Sequence, residues 1–168
     1  RNGRRGGDKM TDKLGRPRID SPHIKGFKPL SDEQAVPTRL IEIAKRWVVC
    51  FCAVEQIGLY AQGVGPKRWV RGGVWVKTDP TPQFTGDRPG VFGDGIAIMH
   101  REGRKRWNRG GHAARWVGAT EHPRPGEMKY GRYHPTQKPL WLMLDLVRDF
   151  SDPGELVWDH TAGAGPPG

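Results

Sequence analysis

The sequence predicts an α/β domain: a short β-sheet with helices packed on it, interrupted by a long basic stretch rich in loops. Three observations lead there. Residues 46–54 (RWVVCFCAV) form an unbroken apolar, β-branched run, the pattern of a strand covered on both faces. Residues 68–77 (RWVRGGVWVK) and 95–100 (GIAIMH) give two further strands, separated by a loop punctuated with Pro and Gly at 78–90. Near the end, Leu140, Met143, Leu144, Val147 and Phe150 recur at helical spacing behind Pro139, a residue suited to a first helical turn.

The other elements are placed around these. Residues 1–28 carry nine Lys and Arg against three Asp and show no hydrophobic period, so 1–30 is expected to be a basic loop or arm. Ser31 and Gln34 make a capping-box pattern, with Leu30 and Ala35 placed as a hydrophobic staple. The helix they open should run toward Lys45 with Leu40, Ile43, Ala44 and Trp47 on one side, although Pro37 disturbs its second turn. Gly58, Gly63, Gly65 and Pro66 mark a long turn region that has room for a short helix. Residues 101–132 read as basic and irregular, with Trp107 and Trp116 embedded. Asp152-Pro153-Gly154 should stop the last helix, followed by a short strand at 155–158 and a glycine-containing turn from Asp159. Residues 31–168 are thus one domain, with no internal repeat.

Bulk properties narrow the function classes. The 168 residues can bury one real core but are tight for two. The 24 Gly and 15 Pro, close to a quarter of the chain, fit many turns around a modest core. A formal charge of +10 favours a polyanionic partner, since Lys and Arg that neutralise phosphates supply most sequence-independent affinity for nucleic acid. Cys50 and Cys52 alternate with Phe51, so they share one face of a strand. Two such residues suit buried thiols in a reducing compartment, not a zinc site or a disulfide framework. His23, His100, His112, His122 and His160 are scattered without metal spacing, so no metal is expected. No apolar stretch approaches the roughly 20 residues of a membrane-spanning helix, and no signal peptide opens the chain. The expected location is the cytoplasm.

The chemistry-bearing residues lie toward the end. A short strand, an acid at its tip (Asp159) and then Ala162-Gly163-Ala164-Gly165 outline a nucleotide-type site: glycines let the backbone approach a ligand and the carboxylate accepts its hydrogen bonds. Alone, such turns are mostly just turns. Here the turn is preceded by His134-Pro135-Thr136-Gln137-Lys138-Pro139, an amphipathic helix, and FSDPGELV at 150–157. That succession closely resembles the cofactor half of site-specific DNA amino-methyltransferases, of the class whose catalytic region precedes its cofactor region. There a HPTQKP segment opens a helix that leads to a strand and a DPFAGSG turn. The middle of the chain (RGGVWVK, PQFTGDRP, HREGRKRWN) resembles the DNA-facing segment of phage-type members.

The resemblance implies a partial methyltransferase-type, Rossmann-like sheet. It implies S-adenosylmethionine as cofactor, held by His134, Thr136, Gln137, Lys138, Asp159, Thr161, Ala162, Gly163 and Gly165. Double-stranded DNA would be the substrate, methylated on an adenine or cytosine amine and faced by residues 79–132. Within that stretch Gln83, Thr85, Arg88, Arg104, Lys105, Arg106, Trp107 and Asn108 are the candidate contacts. Charge, a stacking ring and a base-edge reader lie together there, and the plainer alternative is a solvated loop with Trp107 tucked into the core.

Two departures stand out. Asp159-His160-Thr161 replaces the family's DPF, removing an aromatic, and Pro166-Pro167-Gly168 follows Gly165. The family's D/N/S-P-P-Y/F catalytic tetrapeptide does not occur. Asp20-Ser21-Pro22-His23 is the nearest imitation, with Asp20 and His23 as weak candidates, and it reads better as an Asx-type turn. The expectation is a chain incomplete at both ends, with the true tetrapeptide before Arg1. Two rival readings remain: a non-catalytic basic DNA-binding remnant of such an enzyme, and an RNA-binding protein, which would leave HPTQKP without a purpose.

Overall fold

The computed structural model describes residues 37–120 and 138–159. The basic arm and the Ser31–Gln34 capping pattern fall outside them. Pro37 itself caps the first helix, α1 (Thr38–Ile43), its carbonyl accepting from the Ile41 amide at 3.1 Å. The helix ends short of Lys45 because Ala44 is already extended, leading the chain into β1 (Trp47–Cys52). Ile41, rather than the expected Ile43, faces inward; Ile43 is exposed. A 3-10 turn (Val54–Gln56) then leads into α2 (Ile57–Val64), the short helix within the glycine-rich region. Tyr60 and Val64, one turn apart, are buried there, and Gly65, at φ 75°, ends it.

Strands β2 (Trp69–Lys77) and β3 (Gly93–His100) fall where the sequence puts them. A further short strand, β4 (Arg115–Gly118), lies within the stretch read as irregular. The sheet order is β1-β3-β2-β4, with β3 antiparallel to both neighbours and β4 parallel to β2. Strands β1, β2 and β4 therefore run one way and β3 alone opposes them. The segment after Gly154, expected as a strand, joins no ladder; Leu156, Val157 and Trp158 are exposed. A strand exists only by its inter-strand hydrogen bonds, and the described sheet offers this segment no paired neighbour.

Both faces of the sheet are covered. On one, α3 (Leu140–Phe150) packs Leu142, Leu146 and Phe150 against Trp75, Ile96, Ile98 and Trp116. On the other, Ile41, Tyr60 and Val64 meet Val48, Ala97 and Met99. Trp47, Val49 and Phe51 of β1 lean on the first core and Cys50 and Cys52 on the second, so β1 is covered on both sides as its composition implied. The inward stripe of α3 differs from the expected one. Leu142, Leu146, Asp149 and Phe150 are buried, while Leu140, Leu144 and Val147 are exposed. The helix is apolar on two sides, and periodicity alone cannot choose between them. At Gly118 a Cβ would come within 2.4 Å of the Trp141 ring, so only glycine lets that indole lie on β4 and donate to the Ala119 carbonyl at 3.1 Å. No helix among the described residues is long and apolar enough to cross a membrane.

Candidate functional site

Because β1, β2 and β4 run together, their carboxyl ends meet at one end of the sheet, where β3 begins. Open α/β sheets bind ligands outside such ends. A cavity of about 650 Å³ lies there, lined by Phe51, Cys52, Glu55, Phe92, Asp94 and Lys138 among others. Lys138, the last residue but one of HPTQKP, reaches the strand ends just ahead of α3. Its ammonium pairs with Asp94 and lies 4.8 Å from the Phe51 ring centre and 5.6 Å from that of Trp75. Asp94 also accepts from Lys77 at 2.8 Å. Burial alone would push the Asp94 carboxyl up, but hydrogen bonds from Lys138 and Lys77 outweigh it and hold the group below its ordinary value. At this same end Asp79 accepts from the Thr120 amide and hydroxyl, each at 2.7 Å, tying the β2–β3 loop to the chain leaving β4.

Asp94 had no place among the expected site residues. Its signal was an acid at the start of an apolar strand whose hairpin partner ends in Lys77, and pairing register is needed to see it.

The expected DNA contacts divide between the two ends of the sheet. Gln83, Thr85 and Arg88 sit in the β2–β3 loop at the cavity end. There the Gln83 amide donates to the Thr85 hydroxyl at 2.6 Å, and that hydroxyl donates to Asp87. Arg104, Lys105, Arg106, Trp107 and Asn108 follow β3 and lie at the other end, roughly 25 Å away for an eight-residue strand at about 3.3 Å per residue. Arg104 and Arg106 are exposed. Trp107 stacks on Phe150 at 6.2 Å, with its indole N–H buried and without an acceptor. The Asn108 side-chain NH2 is directed at three acceptors, the carbonyls of Arg148 (3.0 Å) and Ser151 (2.8 Å) and the Asp152 carboxylate (2.9 Å), sharing its two hydrogens among them. The Arg106 carbonyl accepts from the Trp47 indole at 2.7 Å and from Arg46 at 2.9 Å. The segment is therefore seated on the end of α3, and the tucked-in Trp107 is the observed arrangement.

Asp149 completes that seat. Buried in α3, it accepts from the Trp116 indole at 2.9 Å and faces Arg109 at 3.5 Å. Burial pushes its carboxyl up despite these partners. On the opposite face of the sheet, burial, with Cys52 adding to it, pushes the Cys50 thiol up to about 12. Cys52 rises to about 11, chiefly through burial. Both remain protonated thiols with little nucleophilic character.

Asp159 is exposed at the end of the described residues. Asp20, His23, His134, Thr136, Gln137, Thr161, Ala162, Gly163 and Gly165 lie outside them. Among the described residues no group of three His, Cys, Asp or Glu is arranged to hold a metal.

Sheet order and layers define the chain as a mixed α/β sheet covered by helices on both faces, with a cavity at the carboxyl ends of its three like-directed strands. Among solved structures it is similar to the crystal structure of the M1.HpyAVI–SAM complex, with a TM-score of 0.52 and 18% identity over 69% of this chain and 57% of that one. At that identity the likeness is one of fold, and this chain spans a little over half of its neighbour's length. No protein-family model and no curated protein matches the chain.

Proposed function

We propose that this chain is the sheet-and-helix part of a DNA methyltransferase that carries a methyl group from S-adenosylmethionine to the exocyclic amine of adenine or cytosine. The observation that carries this reading is the position of Lys138. Lys138, which belongs to the sequence motif most characteristic of the cofactor half of such enzymes, meets the sheet beside the cavity at its carboxyl ends, in a fold like that of a SAM-bound protein.

The residues present suit that cofactor. About 650 Å³ falls within the roughly 300–1,000 Å³ of small-molecule sites. Phe51 and Phe92 offer aromatic faces, which attract a cationic centre. Asp94 and Glu55 together balance the charges of Lys77 and Lys138, so the cavity end carries no net positive charge to repel a sulfonium. When bound, S-adenosylmethionine supplies an activated methyl group. In this reading Lys138 orients the segment that holds it, with His134, Thr136, Gln137, Asp159, Thr161, Ala162, Gly163 and Gly165 as the remaining contacts. Excluding water and aligning the amine with the methyl carbon are the protein's share of the rate.

DNA would run along the sheet from the cavity end. Gln83, Thr85 and Arg88 meet it there, while Arg104, Lys105 and Arg106 take phosphates about seven base pairs along at ~3.4 Å per pair. Trp107 and Asn108 then support that segment instead of touching bases. The cytoplasm, where free thiols such as those of Cys50 and Cys52 stay reduced, is our proposed location.

Calorimetry with S-adenosylmethionine tests the cofactor half of the reading. Val91, exposed on the cavity rim, is the position to alter. Val91→Arg should weaken binding at least about tenfold by setting a cation against the sulfonium, with the unfolding midpoint unchanged. Equal affinity would move the cofactor elsewhere. Binding of S-adenosylmethionine and DNA without transfer of labelled methyl, even when the rest of the protein is supplied, would favour the non-catalytic remnant.

A further inference from the structure

We infer that Phe84 is an aromatic wedge that enters the base stack of a DNA duplex beside the cavity. The inference rests on the DNA reading above and adds to it the residue that would hold the duplex open. Phe84 is 87% exposed, in a chain with a net charge of +10. A bare phenyl ring gains nothing from water, and its loop is built to present it. At the neck, Gly90 lies beside Thr81 and Gln83, where a Cβ would be in ordinary contact with the Thr81 carbonyl oxygen at 3.4 Å and the Gln83 nitrogen at 3.6 Å. At the tip, Gly86 turns the chain at φ 69°. Gln83, Thr85 and Asp87 bind one another on either side of the ring. Asp87 is thereby turned onto its own loop, and Arg88 follows it as the charge available to a phosphate.

Position gives this ring its use. The same loop continues through Pro89, Val91 and Phe92, which rim the cavity. A base drawn out of a duplex into the cavity leaves a gap in the stack, and unstacking is the cost such enzymes must meet. An apolar ring carried a few residues away fills that gap, as wedge residues do in proteins that kink DNA. Among the described residues Phe84 is the most exposed aromatic, and it lies at the end of the sheet that holds the cavity.

The full chain should be titrated with a duplex carrying 2-aminopurine, a base whose fluorescence rises on unstacking, at low and at physiological salt. Phe84→Ala should leave the unfolding midpoint unchanged, weaken duplex binding about tenfold, the loss of one stacking contact, and abolish the fluorescence rise. Phe84→Trp should retain both. A duplex with an abasic gap, which needs no unstacking, should discriminate less between the wild type and Phe84→Ala. Unchanged affinity and an unchanged fluorescence rise in Phe84→Ala would overturn the wedge, while the DNA reading would stand if joint replacement of Arg104, Lys105 and Arg106 by Gln still weakened binding. Wild-type chain with no salt-dependent binding at all would end both. Sedimentation showing self-association removed by Phe84→Ala, with DNA binding intact, would assign the ring to a second copy of this chain and overturn the inference.

Discussion

The two loops flanking β3 both supply candidate DNA contacts in the sequence, Gln83, Thr85 and Arg88 before it and Arg104 to Asn108 after it, and they fold in opposite ways. The loop before β3 is braced by its own residues, Gln83, Thr85 and Asp87, and presents Phe84 to water. The loop after β3 spends its side chains on the body of the protein. Trp107 stacks on Phe150, Asn108 holds the end of α3, and Arg106 lends its carbonyl to Trp47 and Arg46. An aromatic in a basic loop therefore does not by itself mark a binding surface. What decides is whether an apolar neighbour lies within reach of the ring. At the far end of the sheet one does, and at the cavity end none among the described residues covers Phe84.

The contrast can be broken by substitution. Phe150→Ala removes the ring on which the far segment rests and should cost about 3–5 kcal/mol, read as a large fall in the denaturant midpoint. If the loss is under about 1 kcal/mol, the segment is not seated on this ring. Asn108→Ala leaves the α3 carbonyls without their shared donor and should cost about 1–2 kcal/mol, with hydrogen exchange quickening at the end of α3.

Asp94 sharpens the picture at the cavity end through pH. Its folded value lies below 3.8, so its contribution is present above 3.8 and lost as pH falls through the folded value. Asp149 runs the other way: raised above 3.8, it contributes at low pH and loses that contribution as pH rises through its folded value. Asp94→Asn should therefore flatten the acid limb of a stability–pH curve, and an unchanged limb would mean that the Lys77–Asp94–Lys138 cluster adds nothing. The smallest effect is expected from Phe84→Ala, within about 0.5 kcal/mol of wild type, against the much larger loss at Phe150.

Legibility follows the same division. Strands β1 and β3 are readable because each is a dense apolar run whose residues pack on both faces, and β2 because Trp69, Val70, Val74, Trp75 and Val76 cluster at its two ends around Arg71 and two glycines. Helix α3 was readable in extent and misread in direction, since Leu140, Leu144 and Val147 make a stripe as regular as the buried one. Choosing between them needed Asp149, whose burial depends on the Trp116 indole that satisfies it. Strand β4 was missed because four residues with one buried side chain, Trp116, leave no period to detect. The segment at 155–158 was overread for the opposite reason: its residues favour a strand, but pairing is a property of neighbours. Of the candidate site, Lys138 could be found by motif alone, whereas its counter-ion Asp94 appears only once β2 and β3 are in register.

One further consequence follows from Phe150. Three of the chain's seven tryptophans, Trp47, Trp107 and Trp116, surround that ring at 5.4, 6.2 and 6.2 Å. Their indoles share one apolar setting, so the colour of their emission reports whether the basic segment stays in its seat. A polyanion that pulled residues 104–108 away from α3 would expose Trp107 to water and shift its light to the red. A polyanion gripped only through the hairpin would leave that emission where it is, and the chain's own fluorescence would tell which of its two loops had been taken.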